Sequence, residues 1–183
     1  FRTEFLYMNR NEAPSEEEQF FLYREVLEKM QEKEVVVRVF DIGADKEVPY
    51  LLQEKEKNPA LGIRGIRLCL RERALFKAQI RALLRASLYG NLSILLPMIS
   101  SMEEVLETKK IIEKQEGQAY SEKISLGIMV EVPALLFILE DIAKEVDFFS
   151  IGSNDLSQYL MAMDRENGTN GEVHLAHHPA VLK

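Results

Sequence analysis

The sequence predicts an α/β domain built on a parallel β-sheet. Three observations lead there. Short, nearly all-apolar runs at 35–40, 92–96, 126–130 and 148–151 alternate with longer segments of helical periodicity. The segments between the runs are long enough to be the crossover helices that parallel neighbours require. The runs are apolar at successive positions, as in strands covered on both faces. A closed barrel and an open doubly wound sheet both satisfy this pattern.

Each element has a local cause. Ser15-Glu16-Glu17-Glu18 reads as a capping box opening a helix to about residue 32, with Phe20, Tyr23, Leu27 and Met30 on one apolar face. The β-branched run 35–40 is a strand. A loop region with Gly43, Pro49, Asn58-Pro59 and Gly62 follows. The next helix is predicted over about 71–88, with Leu75, Ile80, Leu83, Leu84 and Ser87 facing the core and Gly90-Asn91 ending it. Strand 92–96 is closed by Pro97, and Ser101-Met102-Glu103-Glu104 is a second capping box for a helix to about residue 116. Strand 126–130 precedes Pro133, a favourable first helical residue, and a helix to about residue 144. Strand 148–151 is followed by a helix over about 155–163. Phe1-Arg2-Thr3-Glu4-Phe5 reads as the end of a strand, and Ala180-Val181-Leu182-Lys183 stops in mid-pattern. The 183 residues are therefore read as one partial domain, a fragment of a longer chain.

Composition excludes some partners. The net charge is −7, from 23 basic and 30 acidic residues, so non-specific nucleic-acid binding is not expected. No apolar run approaches the roughly 18 residues of a membrane span. The one cysteine, Cys69, permits a reducing compartment, and a cytoplasmic location is the expectation.

Polar residues gather where strands end. Arg38 follows Val35-Val36-Val37, Glu131 follows Ile128-Met129-Val130, and Gly152-Ser153-Asn154-Asp155 follows Phe148-Phe149-Ser150-Ile151. Arg2 and Glu4 stand at the end of the truncated first strand. Alternation puts Arg38 in phase with Val36, and Glu131 in phase with Met129 and Gly127. One such charge is an ordinary solvated strand end. Several together are not, because a charge at the last buried position of a strand costs desolvation unless it is paired or used. Carboxylates from Glu131 and Asp155 suit magnesium, which takes one or two and leaves its other positions to water and substrate oxygens. Arginines match phosphate and carboxylate oxygens with their planar fork. The combination describes a site for a phosphorylated carboxylic acid.

Five ordered stretches resemble enzyme I of the bacterial sugar phosphotransferase system. They are Arg2-Thr3-Glu4-Phe5-Leu6, Arg38-Val39-Phe40-Asp41-Ile42-Gly43-Ala44-Asp45-Lys46, Asn58-Pro59-Ala60-Leu61-Gly62-Ile63-Arg64-Gly65-Ile66-Arg67, Met129-Val130-Glu131-Val132-Pro133 and Phe148-Phe149-Ser150-Ile151-Gly152-Ser153-Asn154-Asp155-Leu156. The resemblance implies a (β/α)8 TIM barrel of the phosphoenolpyruvate-binding type, incomplete at both ends, with about six of eight strands. It implies that Arg2, Arg38 and Arg64 hold the phosphate. Lys46 and Arg165 would be further positive groups, and Asn154 a substrate contact. Glu131 and Asp155 would be the Mg2+ ligands. In that family the phosphoryl group passes from phosphoenolpyruvate to a histidine on a separate amino-terminal domain, then to a histidine-containing carrier protein that starts sugar uptake. Family members pair through this domain, so a homodimer is expected. The phosphohistidine and the proton-donor cysteine of the family have no counterpart in these residues, so no catalytic residue is assigned and the chain alone is expected to be inactive. Cys69, among apolar neighbours, reads as a buried thiol.

His174, His177 and His178 lack metal-ligand spacing and read as a polar loop. Two alternatives stay open: the phosphoenolpyruvate-binding domain of pyruvate phosphate dikinase or phosphoenolpyruvate synthase, which shares the motifs, and, from a different class, a non-catalytic dimerisation or ligand-binding module. A carbon–carbon lyase acting on a pyruvate enolate leaves Arg64 and the Asp45-Lys46 pair unexplained.

Overall fold

The computed structural model describes residues 1–43, 48–51, 56–115, 124–164 and 177–182. Four strands, β1 (Val35–Arg38), β2 (Leu92–Leu96), β3 (Ser125–Val130) and β4 (Phe148–Ile151), form one parallel sheet in the order β1-β2-β3-β4. Arg2 adds an isolated parallel bridge to Arg38 on the outer side of β1. The order follows the chain without reversal, so the described sheet has no switch point of the doubly wound kind. About six strands were expected, and the described residues form four. The chain start contributes only a bridge, because Thr3 takes helical angles and leads into a 3-10 turn, Glu4–Leu6.

The helices are α1 (Glu16–Met30), α2 (Ile66–Arg71), α3 (Arg73–Ala86), α4 (Met102–Glu113), α5 (Leu139–Ile142), α6 (Ser153–Met161) and α7 (Pro179–Leu182). The capping box of α1 forms as read: Ser15 accepts from Glu18 N–H at 3.2 Å and Glu18 from Ser15 N–H at 2.8 Å. At α4, Glu104 accepts from the Ser101 amide at 3.0 Å. Phe20, Tyr23 and Leu27 of α1 join Ile80, Leu83 and Leu84 of α3 in a core with Val35, Val37, Ile94, Leu96, Ile128 and Val130 of the sheet. Met30 stays out of it, and Phe76 rather than Leu75 is the fully buried residue early in α3.

Three helix boundaries differ from the sequence reading. The predicted helix over 71–88 begins earlier, at Ile66, and breaks at Glu72, which takes φ −91° and ψ 56° between α2 and α3. Its start carries no capping side chain; Gly65, at φ +55°, makes the turn instead. The helix predicted from Pro133 is a 3-10 turn, Pro133–Phe137, then the single turn of α5, separated at Ile138 by φ −124°. The last predicted helix starts two residues sooner, at Ser153. No helix among the described residues is long and apolar enough to cross a membrane.

A buried polar network crosses this apolar core. Gln79 of α3 donates through Nε2 to the Thr3 hydroxyl (3.1 Å) and the Tyr23 hydroxyl (3.0 Å), and its Oε1 accepts from Phe40 N–H (3.1 Å). The hydroxyls of Tyr23 and Tyr7 both donate to Gln19 Oε1, at 3.1 and 2.9 Å.

Candidate functional site

The register brings the strand ends to one edge of the sheet. Arg38 pairs with Leu95, Leu96 with Ile128, and Val130 with Ile151. Residues of one phase, Val36 and Arg38, Leu95, and Met129 with Glu131 beyond it, line a cavity of about 480 Å³. The loops that follow the strands add Asp41, Arg64, Gly152, Asn154 and Asp155, and the chain start adds Arg2. Six residues singled out from the sequence, Arg2, Arg38, Arg64, Glu131, Asn154 and Asp155, thus meet in one space. Lys46, Arg165 and His174 lie outside the described residues.

One wall is cationic and densely paired. Arg38, at the end of β1, forms ion pairs with Glu4 and, at 3.6 Å, with Asp41. Arg64 donates to both oxygens of Asp41, from Nε at 3.1 Å and from Nη2 at 2.7 Å, in the fork geometry that suits a carboxylate. Its Nη1 reaches Asp155 at 3.3 Å. Burial opposes the Arg64 charge, but the hydrogen bonds and charge of Asp41, with Asp155 behind them, outweigh it and raise the guanidinium pKa. Arg38 Nε is buried without a hydrogen-bond partner.

The other wall is anionic. Glu131 is buried, and its Oε1 accepts from Met98 N–H at 2.6 Å. Met98 presents that amide from a left-handed conformation, φ +60°. Gly65 packs so closely beside it that an added Cβ would stand 2.7 Å from Met98 Cβ. Glu131 Oε2 is buried without a partner. Burial, reinforced by the charges of Asp41 and Asp155 and opposed by the Met98 hydrogen bond and Arg38, pushes the Glu131 carboxyl up to about 7. Gly152 makes room for it: a Cβ there would lie 2.6 Å from Glu131 Oε2. Asn154 and Asp155 sit in the first turn of α6.

Reasoning from the sequence did not assign Asp41, Glu4 or Met98 to the site. In the sequence Glu4 marks a strand end and Asp41 sits inside a motif, and neither position signals a carboxylate that holds an arginine. A second cavity, about 550 Å³, lies on the far side of Arg64 between the 3-10 turn Pro59–Leu61 and α6. The Tyr159 hydroxyl donates to the Ala60 carbonyl there and ties the two segments together. Cys69 is a buried free thiol whose pKa burial raises. His177 is exposed, and His178 Nδ1 accepts from the Ala180 amide at 3.2 Å.

The donor set fits magnesium. Among the described residues no three His, Cys, Asp or Glu side chains gather as a metal site. A hard cation that keeps most of its positions for water and substrate needs only the pair, Glu131 and Asp155. The partnerless Glu131 oxygen is a free ligand for it. Four carboxyl groups, Glu4, Asp41, Glu131 and Asp155, stand with three guanidiniums at this site, and burial holds the Glu131 carboxyl near 7.

A protein-family model described as "PEP-utilising enzyme, PEP-binding domain" matches residues 1–183. The chain is 54% identical over 189 residues to the phosphoenolpyruvate-protein phosphotransferase of Bacillus subtilis (strain 168). It is 52% identical over 189 residues to that of Geobacillus stearothermophilus and 51% identical over 189 residues to that of Staphylococcus epidermidis. In each case 100% of this chain and 33% of the relative are covered, so the chain spans about a third of the length of the curated relatives it matches. The chain belongs to the PEP-utilising enzymes and is their PEP-binding domain.

Proposed function

We propose that this domain binds phosphoenolpyruvate with Mg2+ in the cavity at the strand ends. Within a full-length phosphoenolpyruvate-protein phosphotransferase it would present the phosphoryl group to a histidine on a separate domain. The observation that carries the reading is a pair of buried, partnerless atoms in one cavity: the donor Arg38 Nε and the acceptor Glu131 Oε2. A buried polar atom left unsatisfied costs about 1–3 kcal/mol, and an anion accompanied by a cation satisfies both. In this reading Arg2, Arg38 and Arg64 hold the phosphate oxygens, with Lys46 and Arg165 as further positive groups. Asn154 adds a neutral contact, and Glu131 and Asp155 hold the metal. Magnesium, when bound, supplies positive charge to substrate oxygens as a Lewis acid. The arginines orient the phosphoryl group, and phosphoryl transfer depends mainly on such positioning and charge neutralisation.

Residues 1–183 would be one partial (β/α)8 barrel: the sheet runs in chain order, and the site lies at the carboxyl ends of its strands, where barrels carry their chemistry. Transfer onward to a histidine-containing carrier protein, sugar uptake, a homodimer and a cytoplasmic location complete the proposal. Relatives named as protein phosphotransferases favour it over a dikinase. The test is calorimetric titration of phosphoenolpyruvate with and without Mg2+. Binding that requires the metal is expected. Binding of equal strength without it, or none with it, overturns the reading.

A further inference from the structure

We infer that Gln79 and Thr3, neither of which lines the cavity, are positioning residues for its arginine wall. The inference rests on the ligand reading above. Gln79 is fully buried on α3, in the layer of helices behind the sheet, at a position where the same helix otherwise places Phe76, Ile80 and Leu83. A polar side chain there is costly unless satisfied. It is satisfied, and by groups that carry the site. Its Oε1 takes the Phe40 amide (3.1 Å), two residues beyond Arg38 and one before Asp41, where the chain has left β1. Its Nε2 takes the hydroxyl of Thr3 (3.1 Å), between Arg2 and Glu4. Thr3, also fully buried, donates from its own hydroxyl to the Arg38 carbonyl at 2.9 Å.

The geometry closes a loop: Gln79 to Thr3, Thr3 to Arg38, Phe40 back to Gln79. The chain start also meets β1 through the Arg2–Arg38 bridge, with Arg38 N–H donating to the Phe1 carbonyl at 2.9 Å and the Phe1 nitrogen to the Val36 carbonyl at 2.5 Å, and through the Glu4–Arg38 ion pair; the ties through Thr3 and Gln79 are the fully buried ones. Gln79 and Thr3 therefore set the register of one arginine-bearing segment against the other. They fix how Arg2 and Glu4 stand relative to Arg38 and Asp41. The remaining donor of Gln79, to Tyr23, anchors the loop to α1. No hydrogen bond of this network reaches Glu131 or Asp155. Loosening it should disturb the arginine wall and spare the carboxylate wall.

The test uses a full-length protein carrying this chain, with the variants Thr3→Val, Thr3→Ser and Gln79→Leu. Two probes are titrated calorimetrically in the presence of Mg2+. Phosphoenolpyruvate depends on both walls, whereas oxalate, a dicarboxylate without phosphate, depends mainly on the metal side. Thr3→Val and Gln79→Leu are expected to weaken phosphoenolpyruvate about tenfold or more, in line with the sensitivity of bound ligands to small misplacements. Oxalate affinity should stay within about threefold, Thr3→Ser should restore binding, and the double variant should be no worse than the poorer single one. Equal losses for both probes, or a lowered thermal midpoint with unchanged affinities, would reduce Gln79 and Thr3 to core residues and overturn the inference. If Gln79→Leu does not fold, the near-isosteric Thr3→Val decides alone. A wild type that binds no phosphoenolpyruvate with Mg2+ overturns the ligand reading and this inference together; a wild type that binds, with unaffected variants, overturns only this inference.

Discussion

The two walls of the cavity solve opposite problems. The arginine wall is over-connected: Asp41 serves both Arg38 and Arg64, Glu4 serves Arg38, and Arg64 reaches Asp155 as well. The carboxylate wall is under-connected, with Glu131 held by one amide and its second oxygen without a partner. Cations on flexible stems must be pinned to meet a ligand in a fixed geometry, and buried carboxylates pin them at the cost of local negative charge. A carboxylate that is to hold a cation, the role proposed for Glu131, needs the reverse, an oxygen left free of protein partners. The walls also communicate, because the Asp41 that pins the arginines raises the Glu131 pKa by its charge.

Four substitutions break or sharpen this contrast. Arg38→Ala removes a buried cation held by Glu4 and Asp41 and should weaken phosphoenolpyruvate binding by about 2–5 kcal/mol, the range for truncating a buried, hydrogen-bonded charge. A calorimetric loss well under about 1 kcal/mol would mean the side chain works in solvent. Glu131→Gln should abolish Mg2+-dependent binding of phosphoenolpyruvate while leaving the fold largely intact. Its stability should also diverge from wild type with pH. The folded carboxyl titrates near 7 and the unfolded one near 4.5. Its contribution is therefore fully present below about 4.5 and lost as pH rises through about 7, a difference of about 3 kcal/mol. Denaturant titrations should find Glu131→Gln more stable than wild type at pH 8 and nearly equal at pH 4. A constant offset would show that the group is not perturbed.

Gly152→Ala tests the carboxylate wall sterically. The new methyl meets Glu131 Oε2 at 2.6 Å, so a stability loss of about 1–3 kcal/mol is expected, with Mg2+ affinity falling alongside it. Unchanged melting and metal dependence would show that Glu131 moves aside freely. The smallest effect belongs to a control remote from both walls. Ser15→Ala removes half of the α1 capping box and should cost about 1 kcal/mol of stability with ligand affinity unchanged.

Much of this was legible in the sequence. Capping boxes announced α1 and α4, β-branched and apolar runs announced the strands, and charged residues at the strand ends announced the cavity. The failures share a cause: features made by backbone angles rather than side-chain chemistry. Gly65 starts α2 with no capping group, and nothing in Glu72 or Ile138 signals the breaks they make. Met98 is an ordinary hydrophobic residue in sequence, while its function is an amide aimed by a left-handed turn. Asp41 and Gln79 were obscured differently. A polar residue after a strand, or within an amphipathic helix, defaults to solvent, and only tertiary contacts reveal it as buried.

The strand order has a consequence for how the chain is made. A strand leaving the ribosome needs a partner, and each described strand after β1 finds one already synthesised: β1 before β2, β2 before β3, β3 before β4. The described part of the nascent sheet can therefore lengthen by one strand at a time, with no later strand to be inserted between two earlier ones. The arginine wall, drawn from residues before Arg67, can be in place before Glu131 and Asp155 are translated. During synthesis the site passes through an interval with its arginines present and Glu131 and Asp155 still to come. Asp41 and Glu4, translated in the same early stretch, supply ion-pair partners for Arg38 and Arg64 before the second wall arrives.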